Sequence, residues 1–349
     1  MTGRNQSLDT LRGAAILLVV LFHCAHVATS IVPGLRPFAM HFGEFGVQLF
    51  FIVSAYTMML TFGNRVDLAA AGSFYIRRVF RIAPLFWLAI PVYLLVTKGG
   101  GFKVWAPDGI GVRDVILTFF FLHWTSVTAF NSVVPGGWSI AVEMQFYLLF
   151  PLILYLFRRQ NGPSLCYALI ALVSALGQLA AQQYLIPQMA ATLPKDQAYL
   201  AEAFYYCWLP QQSICFGCGI LLYDWVERKK LPTLGVLFLL GASLSSAWNA
   251  QVMILCAAAF AVLAANAANS FMGLLGRHSY AIYLSHFALV PAISALAPLD
   301  LVLLFGLVTG LSLALSYYLI EPLIERRFNR FGHGLASRLP QPRTVATAA

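Results

Sequence analysis

The sequence predicts an all-α fold: a polytopic helical membrane protein with about ten transmembrane helices. Of its 349 residues, 60% are hydrophobic and only 10% are charged, and the mean hydropathy is +0.77. A soluble domain carries about 25% charged residues. Apolar runs close to the length of a membrane-spanning helix recur along the chain, which also indicates this class.

The apolar runs set the number of predicted spans. They lie at residues 11–31, 44–62, 79–97, 112–124, 138–157, 164–186, 204–223, 232–247, 251–267, 278–297 and 300–320. A span needs about 20 residues, and the run at 112–124 is clearly shorter. We therefore predict ten spans, with 112–124 as a short re-entrant or interfacial segment.

The basic residues predict the orientation. Clusters of Lys and Arg lie at residues 77–81, 158–159, 228–230 and 326–330. If the run at 112–124 does not cross, all four clusters fall on one side, which the positive-inside rule assigns to the cytoplasm. Both termini are then cytoplasmic. The net charge of +9 is thus accounted for by topology and does not indicate nucleic-acid binding.

No charged or Pro/Gly/Ser-rich linker divides the apolar runs, so we predict a single transmembrane domain over residues 1–330. Residues 331–349 have the composition of a short disordered cytoplasmic tail. All six cysteines fall in apolar runs, which indicates small buried side chains and not disulfides. Cys215 and Cys218 have a metal-like spacing but no second ligand pair, so no metal site is predicted.

The first run places two costly polar residues in one helix. Arg12 stands at its start and His23 eleven residues later. Eleven residues make about three turns plus roughly 20°, so the two side chains share one helix face. A polar group this deep in an apolar helix is a candidate functional residue.

Two further runs carry polar residues. Gln48, Ser54 and Tyr56 in the second run either line a pocket or form hydrogen bonds between helices. Trp138 precedes Glu143 in the run at 138–157, where a buried carboxylate needs a partner or a raised pKa. Glu143 is a candidate to orient His23 or to bind an acceptor hydroxyl.

Three arginines precede the third span. The spacing of Arg77, Arg78 and Arg81 allows all three side chains to project to a common side. Guanidinium groups bind phosphate oxygens well, so the cluster suits a polyphosphate. Binding of lipid headgroups is the alternative interpretation.

The C-terminal part adds two candidates. His286 is a second histidine inside an apolar run, and Glu321 stands at the end of the last run, where pairing with an arginine is the favoured role. Three other histidines, His41, His123 and His333, are predicted in loops or at the interface.

Taken in chain order, these segments resemble the acyltransferase-3 family of bacterial integral-membrane acyltransferases. The resemblance covers about residues 8–325. The matching segments are Arg12 to His23, Gly46-Val47 through Phe50-Phe51 to Ser54, Arg77-Arg78 with Arg81, Trp138-Ser139 through Glu143 to Phe146-Tyr147, Ser279-Tyr280 through Tyr283-Leu284 to His286, and Glu321-Pro322. The family often has Asp at the position of Gln48 and a second Glu at that of Met144.

The resemblance implies a ten-helix enzyme of the bacterial inner membrane. Its expected reaction moves an acyl group, commonly acetyl from acetyl-CoA, to a hydroxyl of a carbohydrate or cell-surface glycan acceptor. The family's motifs then assign donor binding to Arg12, Arg77 and Arg78, with Arg81 beside them, and catalysis to His23. Because Gln48 replaces the Asp that the family often has, Glu143 becomes the main candidate for a second catalytic group.

The chemistry agrees with this expectation, because acyl transfer from a thioester to an alcohol requires a base that takes the hydroxyl proton. A neutral His23 suits that role, and an acyl-histidine intermediate is the alternative route. A second function class stays open: a proton-coupled transporter or flippase in which His23, Glu143 and His286 form a proton relay. A chain that only recognises acyl-CoA or regulates other proteins is a third.

Overall fold

The computed structural model describes residues 6–62, 68–231 and 233–339, and within these ranges it contains α-helices and no strand. The helices are α1 Gln6–Val27, α2 Leu35–Phe42, α3 Gly46–Phe62, α4 Leu68–Val96, α5 Val112–Phe119, α6 Gly137–Phe157, α7 Gly162–Ala180, α8 Ile186–Thr192, α9 Tyr199–Tyr206, α10 Leu209–Val226, α11 Thr233–Ser243, α12 Ala247–Ala264, α13 Ser270–Arg277, α14 Ser279–Ser294, α15 Leu301–Leu315 and α16 Arg326–Ala336. Short 3-10 turns lie at Gly43–Phe45, His123–Thr125 and Lys195–Gln197, and π-helical turns at Ala181–Leu185 and Ser316–Glu325. The predicted all-α class is confirmed.

Seven of the predicted spans meet the length and composition that crossing a membrane requires. Within the described ranges these helical stretches are Gln6–Val27, Leu35–Phe62, Ala71–Val96, Gly137–Phe157, Gly162–Thr192, Ala247–Ala264 and Leu301–Ala336. The other three predicted spans coincide with α10, α11 and α14, and α11 and α14 have only 11 and 16 residues. The fold is thus a bundle of helices of which seven are long and apolar enough to span a bilayer.

The predicted short segment at 112–124 forms a helix that is too short to cross. α5 has eight residues, so at about 1.5 Å per residue it measures about 12 Å against a hydrocarbon core of about 30 Å. Asp114 fixes its start, because Oδ2 accepts a hydrogen bond from the Gly111 amide at 2.9 Å and Oδ1 accepts one from Thr128 at 2.8 Å.

The structure brings the two ends of the bundle together around α1. Helix α13 packs on the first turns of α1, and the contact is so close that a Cβ at Gly276 would lie 1.9 Å from the Asp9 carbonyl oxygen. A Cβ at Gly13 would likewise lie 2.1 Å from the Met272 carbonyl oxygen. Glycine is therefore required at both positions. This contact places α14, which follows α13 directly, along the same helix.

Buried polar and thiol groups test two sequence predictions. All six cysteines are buried and none forms a disulfide, as predicted. His123, predicted in a loop or at the interface, lies in a 3-10 turn between α5 and α6. It is 1% exposed, and its ring stacks on Phe86 at a centroid distance of 5.9 Å. Its Nε2–H donates to the Gly137 carbonyl at 3.0 Å. Burial lowers the pKa of His123 to about 4, so the ring is neutral near pH 7 and its role is structural.

The C-terminal boundary differs slightly from the prediction. Helix α16 continues to Ala336, six residues beyond the predicted domain end at residue 330. Its buried Gly332 packs on Phe80 of α4. Residues 340–349 of the predicted tail lie outside the described residues. The division into one domain and a disordered tail stays a prediction.

Candidate active site

A pocket of about 100 Å³ lies between α1, α3, α4, α6 and α14. Five of the residues singled out in the sequence line it, and they come from the first four of these helices: Arg12, Ser54, Arg78, Arg81 and Glu143. Helix α14 contributes Ser279, Tyr280 and Tyr283. The pocket therefore collects residues from segments far apart in the chain, and its lining combines cations, hydroxyl groups and one carboxylate.

Arg12 enters the pocket from α1 in a fixed orientation. Its Nη1 lies 3.1 Å from Asp9 Oδ1, and its Nη2 donates to Thr57 Oγ1 on α3 at 2.7 Å. The Thr57 hydroxyl in turn donates to the Val53 carbonyl at 2.7 Å. Because both ends of the guanidinium are held, Arg12 presents its charge at a defined place in the pocket.

Arg78 and Arg81 of α4 supply two more cations. The Arg78 guanidinium carbon lies 5.2 Å from the Tyr147 ring centroid and 5.5 Å from that of Phe74, which are cation–π distances. Neither arginine forms an ion pair with a carboxylate in the described part of the chain. Arg77 is exposed and does not line the pocket, in contrast to the expectation that the three arginines share one side.

Glu143 is held on the pocket wall by two hydroxyl groups. Ser54 Oγ donates to Glu143 Oε1 at 2.6 Å, and the Tyr147 hydroxyl donates to the same oxygen. Tyr147 is also the residue whose ring lies against Arg78. No hydrogen bond joins Glu143 to His23 among the described residues. The expectation that Glu143 orients His23 directly is therefore not supported by a contact.

His23 instead contacts the second buried histidine. Its Nδ1 lies 2.8 Å from the Val19 carbonyl oxygen and 3.3 Å from His286 Nε2. His286 Nδ1 lies 3.2 Å from the Ile282 carbonyl oxygen. A carbonyl only accepts, so each Nδ1 that bonds to one carries its proton. His286 Nε2 is then an acceptor for His23 Nδ1–H, and the lone pair of His23 falls on Nε2.

The two histidines lie just beyond the pocket. The Phe287 ring centroid is 4.5 Å from that of His23 and 4.0 Å from that of His286. Tyr283, which lines the pocket, has its ring centroid 5.7 Å from that of His286. His286 is fully buried, whereas His23 is half-buried. Arg12 contacts Thr57 of α3 and lines the pocket, whereas His23 contacts His286 of α14 and does not line it.

With this geometry established, comparison with known proteins identifies the family. A model described as "Acyltransferase domain" matches residues 5–321, nearly the whole chain. The chain belongs to this acyltransferase family. The resemblance noted in the sequence is confirmed, and no solved structure matches significantly.

Several curated proteins are similar to the chain. The peptidoglycan O-acetyltransferase OatA of Listeria monocytogenes is 26% identical over 65% of this chain, which corresponds to 35% of that protein. The O-acetyltransferase OatA of Staphylococcus aureus is 23% identical over 93% of this chain and 58% of its own length. The exopolysaccharide production protein ExoZ of Rhizobium meliloti is 27% identical, covering 85% of this chain and 94% of its own length. The chain thus spans only about a third to a little over half of the two OatA proteins.

Two predicted pocket residues of this family member lie in a different polar cluster. Gln48 is 1% exposed, and its Nε2 donates to the Tyr206 hydroxyl and to Gln212 Oε1, each at 3.2 Å. The ring of Trp138 packs between Phe51 and Tyr206, with both centroid distances at 6.2 Å. Gln48 forms no hydrogen bond to His23 in the described structure, and neither Gln48 nor Trp138 lines the pocket.

Tyr56 and Glu321 also lie away from the pocket. The Tyr56 hydroxyl donates to Glu227 Oε1 at 2.6 Å, which makes it a contact between α3 and the end of α10. Glu321 Oε1 lies 3.1 Å from Arg326 Nη2, so the expected pairing with an arginine is confirmed, and its Oε2 lies 3.9 Å from His278 Nε2.

Sequence reasoning missed several lining residues of this acyltransferase fold. Tyr147 and Tyr283 stand inside the quoted motifs, four residues after Glu143 and three before His286, and helical spacing alone would have placed them on the same faces. Thr57 gave no signal, because its role depends on a contact with Arg12 across 45 residues.

The contacts of Glu143 bear on the transporter alternative. The proton relay of a transporter needs a connection between Glu143 and the histidines, and the described contacts of Glu143 lead to Ser54 and Tyr147 instead. That alternative is unsupported. As to metals, the described residues contain no group of three or more His, Cys, Asp or Glu side chains placed to hold an ion.

Proposed function

We propose that the protein is a membrane O-acyltransferase that moves an acyl group, acetyl in the first instance, from acyl-CoA to a hydroxyl of a carbohydrate acceptor. Membership of the acyltransferase family supports the reaction class. The names of its relatives concern O-acetylation of peptidoglycan and production of an exopolysaccharide, which supports a glycan acceptor at the cell surface.

The cations of the pocket support CoA as the donor. CoA carries several phosphate groups, and three guanidinium groups line the pocket: Arg12, Arg78 and Arg81. Arg78 and Arg81 have no carboxylate partner in the described residues, so they are available to bind phosphate oxygens. The pantetheine arm carries amide N–H groups, and the Glu143 carboxylate on the pocket wall is an acceptor for one of them.

The observation that best supports the proposal is the tautomer of His23. Its Nδ1–H is directed to Val19 and His286, which leaves the lone pair on Nε2. A neutral imidazole with a free Nε2 is the form that takes a proton from an acceptor hydroxyl as the hydroxyl attacks the thioester carbonyl. The thioester carbon then bonds to the hydroxyl oxygen, the C–S bond breaks, and the proton from His23 is passed to the CoA thiolate.

For the membrane arrangement we propose the ten spans predicted from sequence, with both termini in the cytoplasm and the chain in the bacterial inner membrane. Three further helices, α10 with 18 residues, α11 with 11 and α14 with 16, complete the count beyond the seven candidate spans. α5 is the proposed re-entrant or interfacial segment, which its 8-residue length supports. This topology puts the four basic clusters, and with them Arg78 and Arg81, on the side where CoA is available.

The test uses labelled acetyl-CoA and the purified full chain in detergent, with release of free CoA as the readout. His23→Ala should lower kcat by about 10²–10⁴ while KM for acetyl-CoA changes little, because the base is lost and the donor pocket is intact.

His26→Ala is the matched control. His26 lies one turn further along α1 and makes the same bond to the carbonyl four residues earlier, but it is exposed and does not line the pocket. This variant should keep the wild-type rate. Equal rates for His23→Ala and wild type would refute the role of His23, and a wild-type chain that neither binds nor turns over acetyl-CoA would refute the donor.

A further inference from the structure

Tyr283 lines the pocket on the side of the histidine pair, because its ring contacts that of His286. The Tyr283 hydroxyl donates to the Gly136 carbonyl at 2.9 Å and lies 2.9 Å from Ser139 Oγ. Ser139 Oγ donates to the same carbonyl at 3.0 Å. Two hydroxyl groups from α14 and α6 therefore converge on one backbone oxygen, and this network fixes the direction of the Tyr283 ring.

The turn that carries Gly136 packs directly against this ring. Gly136 has φ +75°, and a Cβ there would lie 2.6 Å from the Tyr283 hydroxyl oxygen and 2.5 Å from Cε2 of Phe287. Only glycine is compatible with both the backbone angle and the contact. The Asn131 side chain accepts the Gly136 N–H at 2.7 Å. The ring of Tyr283 thus has no space to move toward the turn.

The histidine pair lies close to the ring of Tyr283. Its ring centroid is 5.7 Å from both that of His286 and that of Phe287, and Phe287 contacts His23. Tyr283 is 5% exposed, so the space on this side is filled. Tyr283 therefore forms the part of the pocket wall that stands next to His286 and Phe287.

We infer that Tyr283, held by Gly136 and Ser139, is the residue that limits the donor to short acyl groups. This rests on the proposed function, in which the donor's phosphates bind the arginines and its thioester points away from them. The acyl group then extends toward Tyr283. An acetyl group needs little depth beyond the thioester, whereas each added methylene of a longer chain would have to displace the fixed ring.

The experiment compares acetyl-CoA, butyryl-CoA and hexanoyl-CoA as donors for the full chain in detergent, with kcat/KM for CoA release as the readout. Wild type should prefer acetyl-CoA to hexanoyl-CoA. Tyr283→Ala and Tyr283→Leu open the end of the pocket, so the ratio of hexanoyl to acetyl turnover should rise by about tenfold or more, the size of effect that a few methylene contacts produce.

Tyr283→Phe is the matched control, because it removes the hydroxyl with its contacts to Gly136 and Ser139 but keeps the ring. It should keep the preference for acetyl. An unchanged ratio in Tyr283→Ala and Tyr283→Leu would overturn the inference while leaving the proposed function intact.

A second measurement needs no variant. Competition of unlabelled hexanoyl-CoA against labelled acetyl-CoA for wild type should show clearly weaker binding of the longer donor. Equal competition by the two donors would overturn the role of Tyr283 even if every substituted protein failed to fold. Absence of both binding and turnover for all three donors would refute the proposed function itself, a result that no change in preference can mimic.

Discussion

The arginine-lined pocket and the histidine pair lie one helical turn apart on α14, yet their linings differ in chemistry. The pocket is lined by three arginines, several hydroxyl groups, one carboxylate and five apolar side chains. The pair at His286 is enclosed by the rings of Phe287 and Tyr283, and its hydrogen bonds run to backbone carbonyls. One region is suited to binding charge and the other to holding a neutral imidazole.

The difference matters because a buried cation and a catalytic base have conflicting needs. Several guanidinium groups close to an imidazole would disfavour its protonation and so weaken it as a base. The structure separates them along α1, with Arg12 in the pocket and His23 eleven residues away at the pair. We therefore expect substitutions in the two regions to affect different kinetic constants.

The largest effect on donor binding is expected at Arg78. Arg78→Ala should raise KM for acetyl-CoA by about 10–100-fold, since a charge-assisted hydrogen bond contributes about 1.5–3 kcal/mol, while kcat changes little. Arg77→Ala, next in the chain but exposed and outside the pocket, should have a far smaller effect. Equal changes in KM for the two variants would mean that the cluster acts by overall charge and that the pocket is not the binding site.

Substitution of His286 should affect kcat and not KM. His286→Leu removes the acceptor for His23 Nδ1–H but leaves the Val19 carbonyl at 2.8 Å, so the useful tautomer is only partly lost. We expect kcat to fall by about tenfold, or about 1.4 kcal/mol, with KM for acetyl-CoA unchanged.

The double variant His23→Ala/His286→Leu sharpens this expectation. If His286 acts through His23, the second substitution should add nothing to the loss in His23→Ala. An additive loss would show that His286 contributes independently, and the two histidines would then not form one functional pair.

Features that depend on neighbouring residues in the sequence could be predicted, and contacts between distant residues could not. The helices and the shortness of the segment at 112–124 depend on local pattern, and the structure bears out both of them. The partner of His23 is 263 residues away, and that of Ser54 is 89 residues away. The hydrophobic periodicity of the sequence gives no information about such pairings, because they depend on how the helices pack.

The same limit explains why the contacts of Gln48 could not be predicted from the sequence. Its position in the second apolar run could not reveal whether it faces the first helix or α10. The structure directs it to Gln212 of α10 and to Tyr206, so the substitution of the family's common Asp by Gln changes a buried contact between helices.

The smallest and most discriminating effect is therefore expected from restoring the family's usual residue. Gln48→Asp removes the donor that bonds to Tyr206 and Gln212 and buries a carboxylate at a position that is 1% exposed. We expect a loss of about 1–3 kcal/mol in the free energy of unfolding, measured as a lower Tm in detergent, and no gain in kcat. Gln48→Asn, which keeps an amide, should lose less. If Gln48→Asp instead raised kcat, the carboxylate would have to reach His23, and the separation between the polar cluster around Gln48 and the histidine pair would not hold.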